Sequence, residues 1–189
     1  MLSKFLKQTW LVMVAALVFG LLVAGVHGAL KQRIADNARK KLEGELKNLL
    51  TKATSFKEVK DESGKVIYRI GLDEQGKSVG YALQADGGGF ADKIVLLITL
   101  DAKMDKLLGI AVLKSNETPG FGDKIKDAPF KDQFTNCPVT EKLAVIKTGD
   151  RSKVDREIVA ITGATISSEA VTKIVNDSVI EMKKIISHE

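Results

Sequence analysis

Residues 10–30 form a run of 21 positions with no Lys, Arg, Asp or Glu. At a rise of ~1.5 Å per residue a helix over this run is roughly 31 Å long, about the thickness of a bilayer's hydrocarbon core. Trp10 stands where an interfacial aromatic belongs, with Lys4 and Lys7 ahead of it. A cleaved signal peptide shares this outline, but its apolar core is usually only ~7–15 residues. Val26-His27-Gly28-Ala29 is also a poor match to a small-x-small cleavage site. The sequence therefore predicts an uncleaved membrane helix over 10–30, preceded by a short cytoplasmic segment, 1–9. Lys31, Arg33, Arg39, Lys40 and Lys41 follow the span, so basic residues flank both ends and do not choose a side. The short N-terminus suits a cytoplasmic start with the remainder exported.

Beyond the span, Leu30, Ile34, Ala38, Leu42, Leu46, Leu49 and Leu50 recur at helical spacing. This predicts a juxtamembrane helix within 31–56, running to about residue 54 and open to continuity with the span. Its stripe could pack on its own domain or on a partner helix. Strands are expected at 66–72, 79–83, 94–100, 108–113, 143–146 and 158–161, separated by Asp- and Gly-rich turns. A helix is expected over 124–134 with Asp123 as its cap. A final helix is expected over 169–186, capped by Ser167 or Ser168, with Glu169 in its first turn. Val171, Ile174, Val175, Val179, Met182, Ile185 and Ile186 would share its buried face. The whole reads as a small α+β domain, 57–189, behind one anchor.

Composition removes several kinds of chemistry. The net charge of +5 gathers largely beside the span, where basic residues meet lipid head groups, and aromatics are only 5%, so a nucleic-acid partner is not expected. Cys137 is the single cysteine, which excludes an intrachain disulfide or a thiolate metal cluster. His27 lies late in the span and His188 is the penultimate residue, so neither is placed to serve a nucleophile. Gly87-Gly88-Gly89 leads to no Gly-Lys-Ser/Thr, and no Gly-x-Ser-x-Gly elbow occurs. Asp123, Asp127 and Asp132 read as a solvated helix face and Cys137 as a packing residue. Redox chemistry, if present, needs an organic cofactor.

Two segments remain. Thr162-Gly163-Ala164-Thr165-Ile166-Ser167-Ser168 sits between a strand and a helix. Its small residues leave backbone open to a bulky group, Thr165 supplies a hydroxyl, and the helix start favours a phosphate. The same residues also make an ordinary strand-to-helix turn. Glu117-Thr118-Pro119-Gly120-Phe121-Gly122 makes a tight, backbone-exposed loop that could close over a flat ring or merely connect two elements.

As a pair, these segments resemble the FMN-binding domain of the G subunit of the Rnf electron-transport complex, and also the C subunit of the sodium-pumping NADH:quinone reductase. The likeness covers nearly the whole chain, and Asp123-Lys124-Ile125 with the compact length lean toward the Rnf protein. The resemblance implies FMN joined through its phosphate to Thr165 by a separate flavin transferase using FAD and magnesium. It implies that Thr162, Gly163 and Ala164 belong to the recognition motif, and that Glu117, Thr118, Pro119, Gly120 and Gly122 form a loop against the flavin. The family often has serine at Thr162 and leucine at Phe121. Tyr81 and Gly87-Gly88-Gly89-Phe90 resemble a further glycine-containing stretch of these domains.

The implied function is an electron-transfer component of an ion-translocating oxidoreductase, on the outer face of the cell membrane. Its partners would be membrane, iron–sulfur and flavin subunits, and it would not be an enzyme in isolation. Three alternatives stand beside it: the quinone-reductase component, a membrane-anchored scaffold without flavin, and a stand-alone extracytoplasmic flavin carrier.

Overall fold

The computed structural model describes residues 2–187, with side chains from Thr9 to Ile186; His188 lies outside the described residues. Helix α1 spans Leu2–Leu49. Its apolar stretch has a mean hydropathy of 2.4 with none of it buried, long and apolar enough to cross a membrane. The chain divides into two compact units between Lys41 and Leu42.

The second unit holds a five-stranded antiparallel meander in the order β1-β2-β3-β4-β5: Ser55–Lys60, Val66–Leu72, Ser78–Gly88, Lys93–Asp101 and Leu107–Lys114. Strand β4 is buried on both faces of the sheet. Ile94, Leu96, Ile98 and Leu100 point to the larger core, while Leu97 points to the smaller one on the other face. Burial on both faces explains its almost unbroken apolar run. Thr99 is the polar exception, and its hydroxyl donates to the Gly109 carbonyl at 2.9 Å.

The smaller core packs Leu46 and Leu50, at the end of α1, against Ala82, Leu97 and Ala111. The last residues of the helical stripe, Leu42, Leu46, Leu49 and Leu50, thus pack on the sheet, whereas Leu30, Ile34 and Ala38 are exposed. The helix stops at Leu49, short of the expected boundary near 54–56, and Ser55–Lys60 is a strand that the periodicity did not reveal. Only Phe56 and Val59 of this edge strand are even half-buried, so its alternation is weak.

On the larger core, helix α3 (Thr165–Ser187) buries Val171, Ile174, Val175, Val179 and Met182, with Ile185 and Ile186 packed alongside. This is the face that the spacing predicted. A short parallel pair, β6 (Ala144–Ile146) and β7 (Glu157–Val159), completes the domain.

The continuous helix expected over 124–134 is instead a 3-10 turn (Gly122–Lys126), a single α-helical turn α2 (Ala128–Lys131) and a second 3-10 turn (Asp132–Phe134). Pro129 has no N–H to give and is tolerated only in a first turn, so the helix must restart there. Asp123 lies inside the first turn and makes no capping bond. Asp127 and Asp132 are exposed, whereas Asp123 is half-buried with one carboxylate oxygen enclosed and unpartnered. The segment still reaches the core through Phe130 and Phe134, whose rings meet edge to face at 5.5 Å. Cys137 is a packing residue: its thiol donates to the Asp155 carbonyl, and burial with the nearby Asp155 charge pushes it up to about 11.

Candidate functional site

Helix α3 begins at Thr165, four residues earlier than the spacing suggested. The chain leaves β7, turns through the Ala164 N–H to Ile161 carbonyl bond (2.9 Å), and enters the helix when the Ser168 N–H bonds the Ala164 carbonyl (3.0 Å). Gly163 makes the turn possible with φ of +80°, and a Cβ there would lie 3.0 Å from Phe121 Cδ1. The expected serine caps have other tasks. Ser168 Oγ accepts from the Ile161 N–H and donates to the Ala164 carbonyl, stapling the strand end to the helix. Ser167 Oγ donates to Glu117.

The 117–122 loop comes up beneath this helix start. The N–H groups of Phe121 and Asp123 both bond the Thr118 carbonyl, and Gly120 takes φ of +77°. Gly122 is required for closeness, because a Cβ there would sit 2.7 Å from Ser167 Oγ and 3.0 Å from Glu117 Cβ. Between the two segments lies a groove of about 530 Å³ lined by Phe90, Thr118, Phe121, Gly122, Gly163, Ala164, Thr165, Ile166 and Ser167.

Five of the residues singled out from the sequence therefore face one space: Thr118, Gly122, Gly163, Ala164 and Thr165. Thr162, Pro119 and Gly120 are exposed and do not line it. Glu117 lies behind it, 3% exposed. Its carboxylate accepts from the amides of Phe90 (3.2 Å), Ala91 (3.0 Å) and Asp92 (3.4 Å) as well as from Ser167. Burial raises this carboxyl, but the hydrogen bonds from Ser167 and the three amides outweigh it and hold the group below the usual range.

Sequence reasoning gave no site role to Ile166 or Ser167 and noted the two phenylalanines only in passing. The available signal was large apolar residues beside glycine turns. Phe90, Phe121 and Ile166 are more than half exposed, which a water-facing turn does not require.

The model of the FMN-binding domain family matches residues 89–180, which include every residue lining the groove. The G subunit of the ion-translocating oxidoreductase complex of Methanosarcina acetivorans is 32% identical over 172 residues, 88% of this chain and 86% of that protein. This chain belongs to that G-subunit family. A second relative, the G subunit of the sodium-translocating ferredoxin:NAD oxidoreductase complex of Acetobacterium woodii, is 36% identical over 146 residues, 69% of each protein.

Among solved structures, NqrC of Shewanella oneidensis is similar with a TM-score of 0.54 at 18% identity, over 67% of this chain and 65% of that one. The C subunit of the sodium-translocating NADH-quinone reductase of Parabacteroides distasonis gives 0.50 at 23% identity, over 59% and 58%. These likenesses speak for a shared α+β fold.

The groove of this G-subunit family member suits the group its domain family binds. Two exposed phenylalanines and Ile166 offer apolar surface to a flat ring. The first N–H groups of α3 have no acceptor within the helix and point toward its N-terminus, where an anionic phosphate is favoured. Among the described residues no Lys or Arg lines the groove.

Proposed function

We propose that the chain is the electron-transfer component of an Rnf-type ion-translocating oxidoreductase, anchored by α1 and carrying FMN as a phosphoester on Thr165. The observation that carries this reading is the state of the four hydroxyls of the 162–168 segment. Ser167 and Ser168 are buried and bonded to Glu117, Ile161 and Ala164. Thr162 is exposed and outside the groove, whereas Thr165 lines it, half-buried, at the head of α3. Within this segment Thr165 is thus the hydroxyl left free at the helix start, where a phosphate is favoured; the Thr118 hydroxyl also lines the groove but belongs to the 117–122 loop on the opposite wall. A covalent bond also answers the absence of lining cations, since amides alone hold a diffusible phosphate weakly.

In the attachment step the P–O bond to the Thr165 oxygen forms as the pyrophosphate bond of FAD breaks. AMP leaves and the hydroxyl proton passes to solvent. A separate flavin transferase with magnesium would perform it. The flavin supplies reversible electron uptake, and the chain's residues bind, orient and shield it. Thr162, Gly163 and Ala164 serve as the recognised turn, with Thr118 and Gly122 as the opposite wall. The domain works on the outer side of the membrane, where a dissociated FMN would be lost. Its electron partners are the neighbouring flavin, iron–sulfur and membrane subunits.

The test is the intact mass of the full chain expressed with a flavin transferase. A gain of one FMN less one water, mapped to the Thr165 peptide and missing in Thr165→Ala, is expected. An unmodified mass, with the transferase active on a control protein, would overturn the reading.

A further inference from the structure

Glu117 is the most buried carboxylate beside the groove, and it lies behind the wall rather than on it. Burial works against its charge, and what opposes burial is a set of hydrogen bonds donated to it. Three donors are backbone N–H groups of one turn, Phe90, Ala91 and Asp92, and the fourth is the Ser167 hydroxyl on the first turn of α3. An acceptor facing four donors and no acceptors is an ionised carboxylate. The packing around it is built for close approach. A Cβ on Gly89 would fall 2.3 Å from Glu117 Oε1, and one on Gly122 would fall 3.1 Å from Oε2.

Two of the groove's lining residues, Phe90 and Ser167, therefore bond this one side chain, and a third, Gly122, leaves it room. A charge so placed lies a single residue behind whatever fills the groove, out of reach of water that would screen it.

Resting on the flavin reading, we propose that Glu117 is the positioning residue of the site: it ties the Phe90 wall to the Thr165 helix, and its buried charge holds the flavin's reduction potential low. Reduction that takes up more electrons than protons adds negative charge to the ring, and a fixed anion nearby disfavours it. The carboxylate also sets where the Phe90 turn stands relative to Thr165, so the ring's wall and the phosphate's anchor move as one body.

The experiment uses the full chain in detergent after expression with the transferase. Covalent flavin per chain and the reduction potential are read for wild type, Glu117→Gln, Glu117→Asp and Glu181→Gln. The last removes an exposed α3 carboxylate, outside the groove, as a control for net charge. We expect Glu117→Gln to carry flavin at a more positive potential, with Glu117→Asp and Glu181→Gln staying at the wild-type value. A loaded Glu117→Gln with an unmoved or more negative potential overturns the proposal.

If Glu117→Gln does not load, loading of Glu117→Asp at the wild-type potential sustains it. Failure of both would make Glu117 a general need of the fold and overturn it too. A wild-type chain without flavin would instead refute the underlying function.

Discussion

Replacing Gly163 by alanine tests whether the backbone at the head of α3 is held in its turn by the fold. With φ at +80° the residue sits in the left-handed region, which costs an L-residue about 1–2 kcal/mol. The new Cβ would also stand 3.0 Å from Phe121 Cδ1. That ring is 54% exposed and can yield by a few tenths of an ångström, so the contact adds little. Alanine also restricts the unfolded chain, which returns about 0.4–1 kcal/mol. The net loss is about 1 kcal/mol, or roughly 2–4 °C in melting temperature for a domain of this size.

Thermal unfolding of the detergent-solubilised full chain, followed by circular dichroism, measures it. Gly163→Asn should lose about half as much, because asparagine tolerates this region better. The double variant Phe121→Ala/Gly163→Ala assigns the cause. If the loss persists without the ring, the backbone carries it; if it vanishes, the contact does. A Gly163→Ala chain as stable as wild type, or a loss abolished by removing Phe121, would refute the reasoning.

Gln133, 3% exposed, substitutes for a strand partner: its amide accepts from the Val159 N–H at 2.7 Å and donates to the Val159 carbonyl at 3.2 Å. Gln133→Ala strands both groups in the interior and should cost about 2–4 kcal/mol in urea unfolding with an unchanged m-value; a loss below about 1 kcal/mol would contradict the pairing. Glu117 makes stability depend on acid. Its folded carboxyl titrates below the ordinary value, so its contribution is whole above the unfolded glutamate range, near about pH 4.3, and is lost as pH falls through the lowered folded value. Melting temperatures from about pH 7 downward should show a shallower acid decline in Glu117→Gln than in wild type, and parallel curves would speak against it.

Strand β4 was legible in the sequence as an almost unbroken apolar run, and helix α3 because its buried face repeats at helical spacing over many residues. The two site segments were legible because their small residues and hydroxyls are unusual together. What escaped notice depends on contacts distant in sequence. The start of α3 moved from 169 to Thr165 because Ser167 and Ser168 bond Glu117, Ile161 and Ala164 instead of capping the helix.

Glu117 read as one more residue of the loop against the flavin because its partners, the amides of Phe90, Ala91 and Asp92, lie more than twenty residues away and carry no sequence mark. Strand β1 escaped because an edge strand with two half-buried residues has little alternation to show. The break at Pro129 was visible and should have divided the helix expected over 124–134.

The order of strands in the sheet bears on when the groove comes into being. In the meander, every neighbour in space is also the next strand in sequence, so its pairings close short loops. The bond between Ser167 and Glu117 closes fifty residues, and each doubling of a loop costs about 0.6 kcal/mol of chain entropy. Helix α3 also follows all seven strands. A chain emerging from its N-terminal end can pair β1 to β5 while Thr165 is still unmade, and the wall that Glu117 fastens has nothing to fasten to until α3 arrives. On the proposed reading, Thr165 takes its shape as acceptor only in the completed domain, and its maturation would double as a readout that the domain is whole.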